Sequence, residues 1–180
     1  MRKVLKVRQS RPDTYVTNYK TVKDAYEKIK DEMVKLYFEI LAHSGVSVTE
    51  MAKMLHDFDA KNPTRMDNYA RYAFNFKRGQ KNSFYIFMPI EVANMVKRFY
   101  KIVAKAMTIM FDQQSGLIQK YHRKWFYNKV IIAGISKNVA DFYKGISPAT
   151  VGSSNYHAHT QQADHWYETA MNTLKETMPL

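Results

Sequence analysis

Two histidines and a tyrosine near the carboxyl end have the types and spacing of residues that act on a phosphodiester. His157 and His159 are separated by Ala158 alone, so on a strand both rings would share one face and could bind a divalent metal ion. Tyr167 could then attack the phosphate. However, the histidines follow a Gly-Ser-Ser-Asn loop and precede a helical pattern. Because no strands are predicted to hold the pair, we expect neither a catalytic residue nor a metal site here.

The same pattern is similar to that of rolling-circle nicking endonucleases. Because no strands are predicted around it, a nicking enzyme is the least favoured of the functions considered. No glycine-rich phosphate loop and no zinc-protease or serine-hydrolase motif occurs elsewhere. The chain has no cysteine, which excludes disulfides, thiol nucleophiles and cysteine-ligated metals. His43, His56 and His122 fall on separate predicted helices. The sequence therefore predicts a protein that is not an enzyme and needs no cofactor.

Positive charge is the strongest signal in the sequence. Lys and Arg number 28 against 16 Asp and Glu, a formal net charge of +12. The excess is concentrated in an arm over residues 1–20 and in patches at 65–81, 91–105 and 120–129, the last of which contains no acid. Clustered bases neutralise phosphates and release condensed counterions. This distribution predicts the backbone of double-stranded DNA as a partner, bound without sequence specificity.

The predicted DNA contacts are the bases of the arm and selected bases of the three patches. They are Arg2, Lys3, Lys6, Arg8, Arg11, Lys77, Arg78, Lys81, Arg98, Lys101, Arg123 and Lys124.

Apolar residues recur at three- and four-residue steps along most of the chain, which is typical of amphipathic helices. The pattern predicts helices over 21–44, 47–58, 64–78, 89–115, 117–144 and 161–177. Ser47 and Glu50 have the spacing of a capping box. The segment 84–88 is compatible with either a short strand or a buried turn. We therefore expect an all-α helical bundle over 21–180, preceded by an extended basic arm over 1–20. The apolar runs are far short of a membrane span.

The format of a cysteine-free, helical, Tyr- and Met-rich chain with a basic arm resembles the major coat proteins of filamentous and rod-shaped archaeal DNA viruses. That resemblance implies a virion protein that assembles into a helical nucleoprotein filament. It also implies a dimer with a second coat subunit, identical or paralogous, and in some members a surrounding lipid envelope. The alternative is a small non-viral helical DNA-binding protein, such as a regulator or a chromosome-organising factor.

Overall fold

The computed structural model describes residues 15, 17–78, 81–99, 103–146 and 153–178. Within these ranges the chain forms eight helices and three strands. The helices are α1 (Tyr19–Lys28), α2 (Glu32–Ser44), α3 (Val48–Asp57), α4 (Ile90–Met95), α5 (Ala104–Ser115), α6 (Gln119–Ile132), α7 (Lys137–Tyr143) and α8 (Ser153–Thr177). The strands are β1 (Thr64–Arg65), β2 (Tyr69–Arg78) and β3 (Lys81–Pro89).

The expectation of an all-α fold is wrong, because β1, β2 and β3 form a three-stranded antiparallel sheet in that order. Tyr72, Phe74 and Phe76 alternate with other residues along β2, and aromatic residues at a spacing of two favour a strand. Tyr69 and Tyr72 also fit a helical spacing, which is why the helical prediction for 64–78 failed. The segment 84–88, whose form the sequence left open, belongs to β3.

Three of the predicted long helices are each divided in two. The first breaks between α1 and α2, where the carboxylate of Asp31 accepts hydrogen bonds from the backbone N–H groups of Met33 (2.9 Å) and Val34 (3.1 Å). A new N-cap therefore starts α2. The second divides into α4 and α5, and the third into α6 and α7 near Gly134, which has a φ of 82°. By contrast, the predicted capping box of Ser47 and Glu50 is confirmed at the start of α3.

The hydrophobic core lies around α2, which is buried along nearly its whole length from Val34 to Ser44. Helices α3, α5, α6 and α8 and strand β3 pack around it. Helix α8 begins at Ser153, earlier than the predicted start near residue 161, and ends at Thr177. Among the described residues, no helix is long and apolar enough to cross a membrane. The predicted domain boundary at residue 20 stays a prediction, and residues 1–14 lie outside the described part.

Candidate nucleic-acid interface

One face of α6 carries a basic pocket. Lys120, Arg123, Lys124 and Tyr127 are spaced at i, i+3, i+4 and i+7, so their side chains leave the same side of the helix. Lys144, at the end of α7, closes the group. These five residues line a pocket of about 240 Å³, here called the α6 pocket. Four of its five side chains are cationic, and one of them, Lys144, lies 3.8 Å from the carboxylate of Asp141. The remaining excess of positive charge favours an anion.

Arg123 is held in the α6 pocket by the ends of two helices. Its Nε donates a hydrogen bond to the carbonyl oxygen of Gly45 (2.8 Å), and Nη2 donates one to the carbonyl oxygen of Lys144 (3.3 Å). These residues are the C-caps of α2 and α7, where backbone carbonyls lack helical partners and carry partial negative charge. Both acceptors are uncharged. The two bonds therefore fix the orientation of the guanidinium in the α6 pocket.

Two glycines permit this arrangement by allowing close backbone approach. Gly45 has a φ of 65°, and a Cβ there would lie 2.2 Å from a ring carbon of Phe126 on α6. Gly145, directly after Lys144, has a φ of 68°, and its Cβ would lie 1.9 Å from the Oγ of Ser83. A side chain at either position would be strained and would also collide with its neighbour. The glycines therefore set the distance from α6 to the two carbonyls that hold Arg123.

Strand β3 contacts the turn that carries the backbone carbonyl of Lys144, through Ser83 and Gly145. The hydroxyl of Ser83 is buried and donates to the carboxylate of Glu50, also buried, at 2.5 Å. Ser83 lies against Gly145 and two residues after Lys81, which pairs with Arg78 where β2 and β3 are joined. The basic end of the hairpin is thus connected through Ser83 to the turn that carries the carbonyl of Lys144.

The opposite face of α6 is apolar and buried. His122, Trp125 and Phe126 are each 0–1% exposed. The His122 ring lies 4.2 Å from that of Phe38, and within the described residues neither ring nitrogen has a hydrogen-bond partner. Burial therefore lowers the pKa of His122 to about 3 and keeps the ring neutral. The prediction that this histidine is not a ligand stays untested, but its ring belongs to the core and not to the α6 pocket.

Among the described residues, the structure brings Arg123 and Lys124 together in the α6 pocket, and it pairs the backbones of Arg78 and Lys81 across β2 and β3. Lys77 is exposed near the end of β2, while Arg78 and Lys81 are described by their backbone alone. Arg98 follows α4 and donates from Nε to the carbonyl oxygen of His56 at 3.0 Å. The remaining predicted contacts, Arg2, Lys3, Lys6, Arg8, Arg11 and Lys101, lie outside the described residues.

Three residues of the α6 pocket were missed as site residues: Lys120, Tyr127 and Lys144. The helical spacing of Lys120 and Tyr127 relative to Arg123 was a readable signal. Lys144 had none, since it is 21 residues away from Arg123 in sequence and reaches the pocket only through the packing of α7.

The two histidines of the pattern and Tyr167 share one helix. His157 and His159 lie on α8 and not on a strand. Tyr167, ten residues further along the same helix, is fully buried and donates its hydroxyl to the carbonyl oxygen of His43 at 2.8 Å. Burial raises the pKa of Tyr167 well above its ordinary value. A buried, neutral hydroxyl with a fixed partner is a poor nucleophile.

The chain matches one protein-family model, described as archaeal phage integrase, over residues 14–173. A search of curated proteins finds no significant match. The match covers α1 to most of α8, so it includes every element that forms the α6 pocket.

This match corrects several expectations. It is to an integrase family and not to a coat-protein family, so the coat resemblance, the filament and the virion location are wrong. The second coat subunit and the lipid envelope lose their support. An integrase is a DNA recombinase, so the expectation of a protein that is not an enzyme is also wrong. DNA as a partner remains, as the charge predicted.

Proposed function

The chain belongs to the archaeal phage integrase family, and we propose that it cuts and rejoins DNA strands at the α6 pocket. The observation that carries the proposal is the position of Arg123, a cation oriented by two uncharged carbonyl oxygens and flanked by Lys120, Lys124 and Lys144. Helix α6 contains no acidic residue. A site built in this way attracts the most highly charged part of DNA, its phosphates.

The α6 pocket suits the chemistry of phosphoryl transfer as well as DNA binding. When a nucleophile attacks a phosphodiester, negative charge collects on the oxygens around phosphorus. A guanidinium that is already oriented can bind two of these oxygens in parallel. Because Arg123 is fixed before the reaction, little reorganisation is needed as the charge develops. The lysines add positive charge with less directional demand.

The nucleophile that we propose is a tyrosine. A strand that is cut and rejoined can keep its bond energy in a covalent bond to the protein, and tyrosine is among the residues that form one. Tyr127 lines the α6 pocket, and Tyr156 lies in the first turn of α8, twelve residues after Lys144. By contrast, the hydroxyls of Tyr143 and Tyr167 are buried and donate to backbone carbonyls. We therefore place the nucleophile at Tyr127 or Tyr156.

The step conserves its atoms in both directions. The tyrosine oxygen forms a bond to phosphorus, its proton leaves, and the bond from phosphorus to one sugar oxygen breaks. That oxygen takes up a proton and becomes a free hydroxyl. In the reverse direction a sugar hydroxyl, from the same strand or from another, attacks the phosphotyrosine and releases the tyrosine. Exchange of strands between these two steps amounts to recombination.

A trapping experiment tests the proposal. The full chain is incubated with random-sequence duplexes that carry one nick, so that a short fragment is lost after cleavage and the covalent complex accumulates. We expect a protein–DNA adduct in which mass spectrometry finds the phosphate on Tyr127 or Tyr156. Phe at the modified position should abolish the adduct but not DNA binding.

Arg123→Ala should reduce adduct formation by about 10²–10³-fold, the range seen when one donor to a developing negative charge is removed. The matched control is Arg65→Ala, which removes a guanidinium that donates to the side-chain oxygen of Asn94 and lies outside the α6 pocket. Its adduct formation should stay within a few-fold of the parent chain. Two outcomes would contradict the proposal. One is an adduct that forms equally well in Arg123→Ala, and the other is an adduct on a residue other than Tyr127 or Tyr156.

A further inference from the structure

The first two described residues, Tyr15 and Thr17, lie against α6 beside the α6 pocket. The hydroxyl of Thr17 donates a hydrogen bond to the carbonyl oxygen of Tyr121 at 3.3 Å, and Thr17 is 4% exposed. The ring of Tyr15 lies 4.4 Å from the ring of Tyr121. Residues 15 and 17, here called the attachment segment, are therefore fixed to α6 by a hydrogen bond and a pair of rings.

The attachment segment provides a hydrogen-bond acceptor to one residue of the α6 pocket. The amino group of Lys124, which lines the pocket, donates to the carbonyl oxygen of Tyr15. Lys124 follows Tyr121 by three residues, so the two are neighbours on the surface of α6. The contacts of Tyr121 with the attachment segment therefore determine where the carbonyl of Tyr15 lies relative to Lys124.

A lysine side chain has a flexible four-carbon stem and loses much conformational entropy when it becomes ordered. If a hydrogen bond already restricts the ammonium group in the free protein, less entropy is lost when a phosphate binds. We propose that Tyr15 and Thr17 are positioning residues that hold Lys124 in the α6 pocket for a phosphate of bound DNA. This inference rests on the proposed function for the identity of the ligand. The attachment segment acts through Lys124, without a DNA contact of its own.

The reactivity of Lys124 towards acetic anhydride measures its restraint in the absence of DNA. Acetylation of the full chain is quantified by mass spectrometry as the ratio of Lys124 to Lys129, which lies on α6 outside the α6 pocket. We expect Thr17→Val and Tyr15→Ala each to raise that ratio about 3–10-fold, the factor that corresponds to releasing one flexible side chain. The control, Tyr19→Ala, removes another exposed tyrosine and should leave the ratio unchanged. A general loss of stability would raise the reactivity of both lysines together.

A double-mutant cycle tests whether the attachment segment acts through Lys124. The affinity for a nicked random-sequence duplex and the rate of adduct formation are measured for Tyr15→Ala, for Lys124→Met and for the double variant. Tyr15→Ala should lower each quantity about 3–10-fold in the parent chain. Its effect should be less than about twofold when Lys124→Met is already present. Tyr15→Phe retains the ring and should stay within about twofold of the parent chain.

The outcomes distinguish this inference from the proposed function. An acetylation ratio that is unchanged in Thr17→Val and Tyr15→Ala would overturn the inference even if the adduct forms. A Tyr15→Ala effect that persists in the Lys124→Met background, or a Tyr15→Phe variant as impaired as Tyr15→Ala, would also overturn it. If no adduct forms in the parent chain while the ratio and the DNA affinity change as expected, the proposed chemistry is wrong and the positioning of Lys124 for DNA phosphates stands.

Discussion

Arg71 and Arg123 are both partly buried arginines, but Arg71 pairs with a carboxylate whereas Arg123 lies in a basic pocket. Arg71, on β2, forms an ion pair with Asp164 of α8, and its guanidinium lies 5.1 Å from the ring centre of Tyr85. Arg123, on α6, donates instead to two backbone carbonyls. The carboxylate compensates the charge of Arg71 inside the protein. The carbonyls fix the orientation of Arg123 in the α6 pocket.

This difference assigns different roles to the two sites. The Arg71–Asp164 pair fastens α8 to the sheet, together with the hydroxyl of Tyr69, which donates to the backbone carbonyl oxygen of Asp164 at 3.2 Å. It is a structural contact. The bonds of Arg123 connect two helix ends, but they also present a cation in a pocket with three lysines. The surroundings of the two arginines, and not their burial, therefore distinguish the two roles.

The largest effect on stability should come from breaking the Arg71–Asp164 pair. Asp164→Ala leaves a partly buried guanidinium without its carboxylate, and we expect a loss of about 3 kcal/mol in the free energy of unfolding. The double variant Arg71→Met, Asp164→Leu should recover most of that loss, because no unpaired charge remains. Urea denaturation measures both. A loss below 1 kcal/mol for Asp164→Ala would show that the pair does not fasten α8.

A smaller effect, dependent on pH, should come from His122 on the buried face of α6. Its pKa in the folded chain is about 3, against about 6.5 in an unfolded chain. The unfolded state therefore binds a proton below pH 6.5 that the folded state excludes, and stability falls as the pH drops from 6.5 towards 3. At pH 4.5 this histidine should lower the free energy of unfolding by roughly 2 kcal/mol relative to pH 7.

His122→Phe should reduce that pH dependence by about this amount, although the new ring lowers stability at pH 7 if it packs poorly. The control is Phe111→Leu, which alters an uncharged ring 5.6 Å from that of His122 and should lower stability by a similar amount at every pH. Denaturation at pH 7.0, 5.5 and 4.5 provides the comparison. Equal slopes for the parent chain and His122→Phe would show that the ring is protonated in the folded state.

Gly145→Ala should lower activity as well as stability. Gly116→Ala is the matched control, because Gly116 has a nearly equal φ of 66° but open space around its Cβ. A left-handed residue with a side chain costs about 1–2 kcal/mol. Both variants bear that cost, whereas Gly145→Ala also displaces Ser83 and the neighbouring carbonyl of Lys144. Adduct formation should therefore fall only in Gly145→Ala. An equal fall in the two glycine variants would show that Gly145 does not position the carbonyl of Lys144.

The sequence predicted the partner better than it predicted the site. The acid-free run of bases at 120–129 indicated DNA and included Arg123. The acceptors of Arg123 were out of reach, since Gly45 lies 78 residues away and the carbonyl of Lys144 is backbone that carries no sequence signal. The enzymatic function was missed because no motif in the chain encodes it without the fold. The sheet was missed because the spacing of three residues between Tyr69 and Tyr72 fits the period of a helix.

The claim that Arg123 neutralises the reacting phosphate can be tested by removing charge from the DNA instead of the protein. Adduct formation is measured on two substrates, one with an ordinary phosphate at the cleavage position and one with an uncharged methylphosphonate there. We expect Arg123→Ala to be strongly impaired on the phosphate and at least tenfold less impaired, relative to the parent chain, on the methylphosphonate. An equal impairment on both substrates would contradict this role and would show that Arg123, like Arg71, makes a structural contact.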